Sequence, residues 1–176
     1  MSYVEIFKFD KNGNPQSIAK IKNSWRGAMA VWNILGKKYC GHSASPFDLS
    51  AMKRIWNLAD DEHVPMDERI VLCTTFDKCL IRKNDIPRVV SAFRIFEGEA
   101  SLKEQADVLE ELITDNNCIA VGWHQNSTSC EQWFSYNCLE QSDHYYLFDD
   151  LEESEGNLSI TPPRKGARLG NTSLID

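Results

Sequence analysis

No stretch of the chain comes near the roughly 18 consecutive apolar residues that a membrane-spanning helix needs, so no membrane segment is expected. The nine glycines never gather as G-x-G-x-x-G or G-x-x-x-x-G-K, the arrangements whose backbone amides cradle phosphates. No nucleotide is expected as a cofactor, and no other cofactor is implied. Basic runs are short as well. Inside residues 1–155 none exceeds two residues, Arg82-Lys83 being one, and the continuous cationic face used in direct nucleic-acid binding is missing.

The six cysteines lie at 40, 73, 79, 118, 130 and 138, and no pair has the short gap of a zinc knuckle. Cys40-Gly-His42 is the nearest approach, only half of a tetrahedral set, and no metal site is expected. Cysteine at about 3% of the chain is far below a disulfide scaffold. Met1-Ser-Tyr-Val-Glu5 lacks the basic segment and apolar core of a secretory signal. The expectation is a cytoplasmic protein with reduced thiols.

What is present is an ordinary globular composition of 176 residues, 42% hydrophobic and 26% charged, long enough to bury a core without a metal or disulfide. The acidity is local. Residues 140–155 hold Glu140, Asp143, Asp149, Asp150, Glu152, Glu153 and Glu155 and no Lys or Arg, which accounts for the whole net charge of −7. After it, Thr161-Pro-Pro-Arg-Lys-Gly-Ala-Arg168 mixes Arg164, Lys165 and Arg168 with Pro and Gly that forbid regular structure. The reading is one globular domain over 1–155 and a polar tail over 156–176.

Periodicity sets the elements. Tyr3–Phe9 and Ser17–Lys22 read as strands joined by the turn chemistry of Asp10-Lys-Asn-Gly-Asn-Pro15. Trp25, Ala28, Met29, Trp32, Leu35 and Tyr39 recur at helical spacing after the candidate cap Ser24, with Gly41 as the stop. Asp48 can cap a second helix carrying Leu49, Met52, Ile55 and Trp56. Arg69–Phe76 is apolar and β-branched and Lys78–Arg82 alternates, so two strands are expected there.

Helices follow over 86–96, with Pro87 in the first turn, and from Ser101, where Ser101 and Glu104 spell a capping box. Three more strands are expected at 118–124, 132–138 and 144–148. The fold class is α+β: an antiparallel sheet of about five to seven strands with about four helices packed mainly on one face. Trp25, Met29, Trp32, Leu35, Ile55, Val89, Phe93, Leu109 and Leu112 should share one core.

Two constellations can carry function. In the first, Trp133, Tyr145, Asp149, Asp150, Glu152, Glu153 and Glu155 put aromatic residues beside a carboxylate run, the make-up of an interface that steers a cationic protein and then anchors it. A basic protein partner is therefore expected, such as a nuclease or other nucleic-acid-binding protein, and the protein would act as a non-catalytic inhibitor or immunity-type protein. The competing structural account is a solvated acidic loop.

In the second, the polar segment 122–130 offers His124 as a base for Ser127, Ser129 or Cys130, the arrangement of a small hydrolase or transferase. No G-x-S-x-G elbow supports it. A hairpin loop whose polar side chains satisfy their own backbone would read the same way. Trp123 and Trp133, flanking this segment, are expected at the surface.

Overall fold

The computed structural model describes residues 3–22, 28–45, 47–76, 78–126, 139, 144–149 and 151. Strands β1 (Tyr3–Phe9) and β2 (Pro15–Lys22) form the expected antiparallel hairpin. Its turn is built by Asp10, whose carboxylate accepts the N–H groups of Asn12 (2.8 Å) and Asn14 (2.9 Å), while Gly13 takes φ 78°, a left-handed conformation costly for other residues. The register slips by one between Ile6 and Phe7, passing over Ile18, as a bulge does.

Helix α1 (Met29–Leu35) runs on into a π-helical turn, Gly36–Cys40, that stops at left-handed Gly41. Gly36 is also a point of close approach. A Cβ there would stand 2.7 Å from both the His42 carbonyl oxygen and Ile55 Cδ1. Helix α2 (Leu49–Asn57) is capped as anticipated, Asp48 accepting the Ala51 N–H at 2.9 Å.

Residues 69–76 correct the sequence reading. The expected strand is helix α3 (Met66–Cys73), and Arg69, Ile70, Val71, Leu72 and Cys73 are all buried. A run of five buried residues presents no polar stripe, so this part of the helix carries no 3.6-residue period and imitates a buried strand. After α3 come β3 (Cys79–Arg82), α4 (Ile86–Ile95), α5 (Ser101–Ile113), β4 (Ala120–Asn126) and β5 (Tyr145–Tyr146).

Two smaller corrections belong here. Ser101 is the first helical residue instead of the cap, and its N–H is taken by the Glu99 carboxylate at 3.0 Å. The strand expected over 144–148 is only Tyr145–Tyr146, because Leu147 to Asp149 coil into a helical turn. The strand expected over 132–138 lies outside the described residues.

The fold is α+β, with a five-stranded sheet in the order β2-β1-β4-β3-β5. All pairings are antiparallel except β3 with β5, which is parallel. Alternation sorts the faces. Val4, Ile6, Cys79, Ile81, Val121 and Trp123 meet the helices in one large core, which also holds Met29, Trp32, Leu35, Ile55, Val89, Phe93, Leu109 and Leu112. Eight of the nine anticipated core residues are thus in place; Trp25 lies outside the described residues. The opposite face carries a smaller cluster of Phe7, Phe9, Leu80, Ala120 and Leu139, with Tyr146 against it.

Two indole N–H groups brace the large core. Trp32 donates to Thr75 Oγ1 at 2.8 Å, and Trp123 donates to Gln105 Oε1 at 3.1 Å. Buried indoles are stable where such acceptors exist. Among the described residues no helix is long and apolar enough to cross a membrane.

Candidate functional site

Residues 145–149, at the head of the acidic run, are secured to the fold. Tyr145 donates its backbone N–H to the Lys78 carbonyl at 3.0 Å, which adds β5 to the sheet edge. Leu147, Phe148 and Leu151 are buried in the large core. Tyr146 turns to the other face, where the Arg82 guanidinium lies 4.0 Å from its ring centroid. Arg88 covers the Phe148 ring at 3.9 Å. These are cation–π distances.

Asp149, next in the chain, is gripped by Arg82 through two hydrogen bonds of 2.8 Å. That fork geometry is the strongest form of the arginine–carboxylate pair. The hydrogen bond from Arg82 holds the Asp149 carboxyl below the usual aspartate range, and the carboxylate in turn raises the guanidinium. Asp149 keeps 53% of its side chain exposed, yet its charge is locally compensated. Tyr145 is half-buried and packs against the large core. Trp133, Asp150, Glu152, Glu153 and Glu155 lie outside the described residues.

Arg82 and Arg88 were not legible as parts of this site. Arg82 and Asp149 are 67 positions apart, so no local spacing connects them, and opposite charge alone is too common a signal.

His124 is set differently from the expectation. Strand β4 continues through Asn126, so His124 lies within a strand and is 3% exposed. Its side chain is on the face opposite the helices, directly across from Glu5 of β1. Glu5 accepts the Ser17 hydroxyl at 2.6 Å and pairs with Lys20 at 3.2 Å. Directly opposed side chains in an antiparallel ladder have Cβ atoms about 5 Å apart, so a buried carboxylate and a buried imidazole are cross-strand neighbours. Ser127, Ser129 and Cys130 lie outside the described residues. Trp123 is 1% exposed and forms an edge-to-face pair with Phe93, which corrects its expected surface position.

Cys73, Cys79 and Cys118 are buried free thiols and Cys40 is half-buried. Burial raises the Cys40 and Cys118 thiols. His42 is engaged by its own neighbours: Nε2 accepts Arg54 Nε–H at 3.3 Å, and Nδ1 faces the Ser43 carbonyl at 3.2 Å. Exposed His63 stays beside Asp61 at 3.0 Å. Among the described residues no three metal-ligating side chains come together.

Compared with known proteins, the chain matches no family model, no curated protein and no solved structure.

Proposed function

We propose that this chain is a non-catalytic binding protein, of inhibitor or immunity type, that meets a basic protein partner through the acidic and aromatic residues of its C-terminal third. The observation that carries the reading is the anchorage of residues 145–149 and 151. Leu147, Phe148 and Leu151 are sunk in the core and Asp149 is clamped by Arg82. Carboxylates that follow such an anchor start from a fixed point on the sheet edge. A fixed origin lowers the ordering cost of association, and a dense negative charge raises the encounter rate with a cationic surface. A nuclease or other nucleic-acid-binding protein suits this chemistry, since carboxylates can occupy a phosphate-binding surface.

The test is paired affinity capture from the native cell. One bait is the wild-type chain; the other carries Asp149→Asn, Asp150→Asn, Glu152→Gln, Glu153→Gln and Glu155→Gln. A basic protein retained by the first and depleted on the second is the expected result. Equal recovery of every retained protein on both baits contradicts the proposal.

A second reading, a small hydrolase or transferase, draws on the opposition of Glu5 and His124, because a carboxylate beside an imidazole can orient it as a base. In that reading Ser127, Ser129 or Cys130 supplies the nucleophile. A panel of ester and thioester substrates turned over by wild type but not by His124→Gln would favour it.

A further inference from the structure

The entry into α2 leaves apolar side chains in water. Phe47 is 94% exposed and Leu49 43%. Four-residue spacing puts exposed Lys53 and Arg54 on the same side of α2 as Leu49 and Ser50. The π-turn packs against α2 where Gly36 meets Ile55, and exposed Lys37 flanks that contact. Arg54 bridges the two elements, its Nε–H reaching His42 Nε2 at 3.3 Å.

Charge sets this surface apart. Residues 36–57 hold Lys37, Lys38, Lys53 and Arg54 against a single carboxylate, Asp48. Lys38 is matched by Glu68 of α3. Asp48 is used within its own helix start, accepting the Ala51 N–H and the Ser50 hydroxyl, both at 2.9 Å. Among the described residues Lys37, Lys53 and Arg54 form no ion pair with a carboxylate. The surface therefore offers an exposed aromatic ring beside three uncompensated cations.

The chain itself carries the complement. Residues 140–155 hold seven carboxylates and no Lys or Arg, and Tyr145 and Tyr146, at the head of that run, are only half-buried. We infer that the α2 surface docks the acidic run of a second copy of this chain. Lys37, Lys53 and Arg54 meet Asp150, Glu152, Glu153 and Glu155, and Phe47 packs against the tyrosine pair. Aromatic anchors with a charged rim are the composition of protein interfaces. An anionic membrane is the weaker match, because a chain of net charge −7 is repelled by it. The two patches differ, so the contact is heterologous, and each joined pair leaves one α2 surface and one run free for further copies. The inference goes beyond the binding-protein reading above, since self-association and a basic partner would compete for the same carboxylates.

The experiment is sedimentation velocity on two full-length variants, each lacking one half of the contact. One carries Lys37→Gln, Phe47→Ser, Lys53→Gln and Arg54→Gln, all at exposed positions. The other carries Asp150→Asn, Glu152→Gln, Glu153→Gln and Glu155→Gln, which leaves Asp149 and its clamp intact. At low salt each variant alone should sediment as a monomer, and their mixture should form a one-to-one complex, since it contains one intact α2 surface and one intact run. Raising the salt should dissociate that complex. Wild type at low salt should form species that grow with concentration. Phe47→Ser alone should weaken this association about tenfold, and it carries the test should the four-site α2 variant melt early.

Three outcomes overturn the inference. The mixture of the two variants stays monomeric. Wild type is a monomer at low salt at every concentration. Or wild type, but not Phe47→Ser, cosediments with phosphatidylserine vesicles while the mixture stays monomeric, which makes the occupant a lipid surface. None of these alters the capture comparison with the five-carboxylate variant, and a failed capture leaves the one-to-one complex standing, so the two readings fail separately.

Discussion

Arg82 holds Asp149 across 67 positions of sequence through two parallel 2.8 Å hydrogen bonds, and it does so with its guanidinium stacked 4.0 Å over the Tyr146 ring. The pair fastens the start of the acidic run to strand β3. Because both side chains are about half exposed, Asp149→Asn should cost no more than about 0.5–1 kcal/mol at pH 7.

The sign of its pH dependence follows from the lowered Asp149 carboxyl. A depressed folded value gives stability that is present above the unfolded aspartate value of about 3.9 and is lost as pH falls through the folded value. Asp10, Asp48, Asp61 and Asp115 are lowered too, so wild type alone cannot isolate the effect. The difference between wild type and Asp149→Asn, read from urea melts at pH 7 and pH 3, should shrink in acid. A difference that does not change with pH would mean that the pair contributes nothing as an ion pair.

Trp32 and Trp56 form an edge-to-face pair with centroids 5.8 Å apart, but only Trp32 has its indole N–H satisfied, by Thr75. The Trp56 N–H is buried and finds no acceptor among the described residues. Replacement by Phe removes similar volume at both sites. Trp32→Phe should therefore destabilise by about 1 kcal/mol more than Trp56→Phe, the net worth of one buried hydrogen bond. Trp32→Ala should cost roughly 3–5 kcal/mol. Chemical denaturation of the three variants orders them, and equal losses for the two Phe variants would place the bond's value near zero.

Thiol chemistry gives an independent check of burial. Of Cys40, Cys73, Cys79 and Cys118, only Cys40 is not fully buried, and burial raises its thiol, which slows thiolate reactions. In the native protein Cys40→Ser should remove one slowly reacting thiol, while serine at 73, 79 or 118 should leave the native reaction with a disulfide reagent unchanged. All six cysteines should titrate in non-reducing denaturant. A deficit of two would reveal a disulfide.

Local rules made much of the architecture legible. The hairpin was readable from Asp10 and Gly13, α2 from Asp48, and α4 from Pro87, because each signal is a hydrogen bond or a dihedral restraint within a few residues. Helix α3 was misread for the opposite reason. Ile70, Val71 and Leu72 are buried side by side, and a pattern without a polar face cannot announce its period. Pro65 followed by Asp67 and Glu68 was the available clue, a proline and acidic first turn of the kind that opens helices.

The site was legible in charge but not in geometry. Acidity concentrated in 140–155 can be counted from the sequence, whereas the clamp by Arg82 and the cross-strand placement of His124 against Glu5 depend on pairings dozens of residues apart. The strand was expected to end at His124 because the residues that follow it are polar. The strand continues past it because β1 supplies a partner for every residue from Ala120 to Asn126.

The most direct measurement of the central claim is stopped-flow association with the captured partner at low and high salt. It compares wild type, Asp149→Asn, and the variant with amides at 149, 150, 152, 153 and 155. The loss of the Asp149 pair should cost no more than about 1 kcal/mol, and folding of all three proteins is checked by their urea melts. The five-site variant should associate more slowly than wild type at low salt and converge with it as salt is raised, since the field acts through a screening length of about 8 Å at physiological ionic strength. Asp149→Asn alone should change the rate least, its charge being already met by Arg82. Association of the five-site variant at the wild-type rate in low salt would contradict the account, and the acidic run would then be a solvated loop.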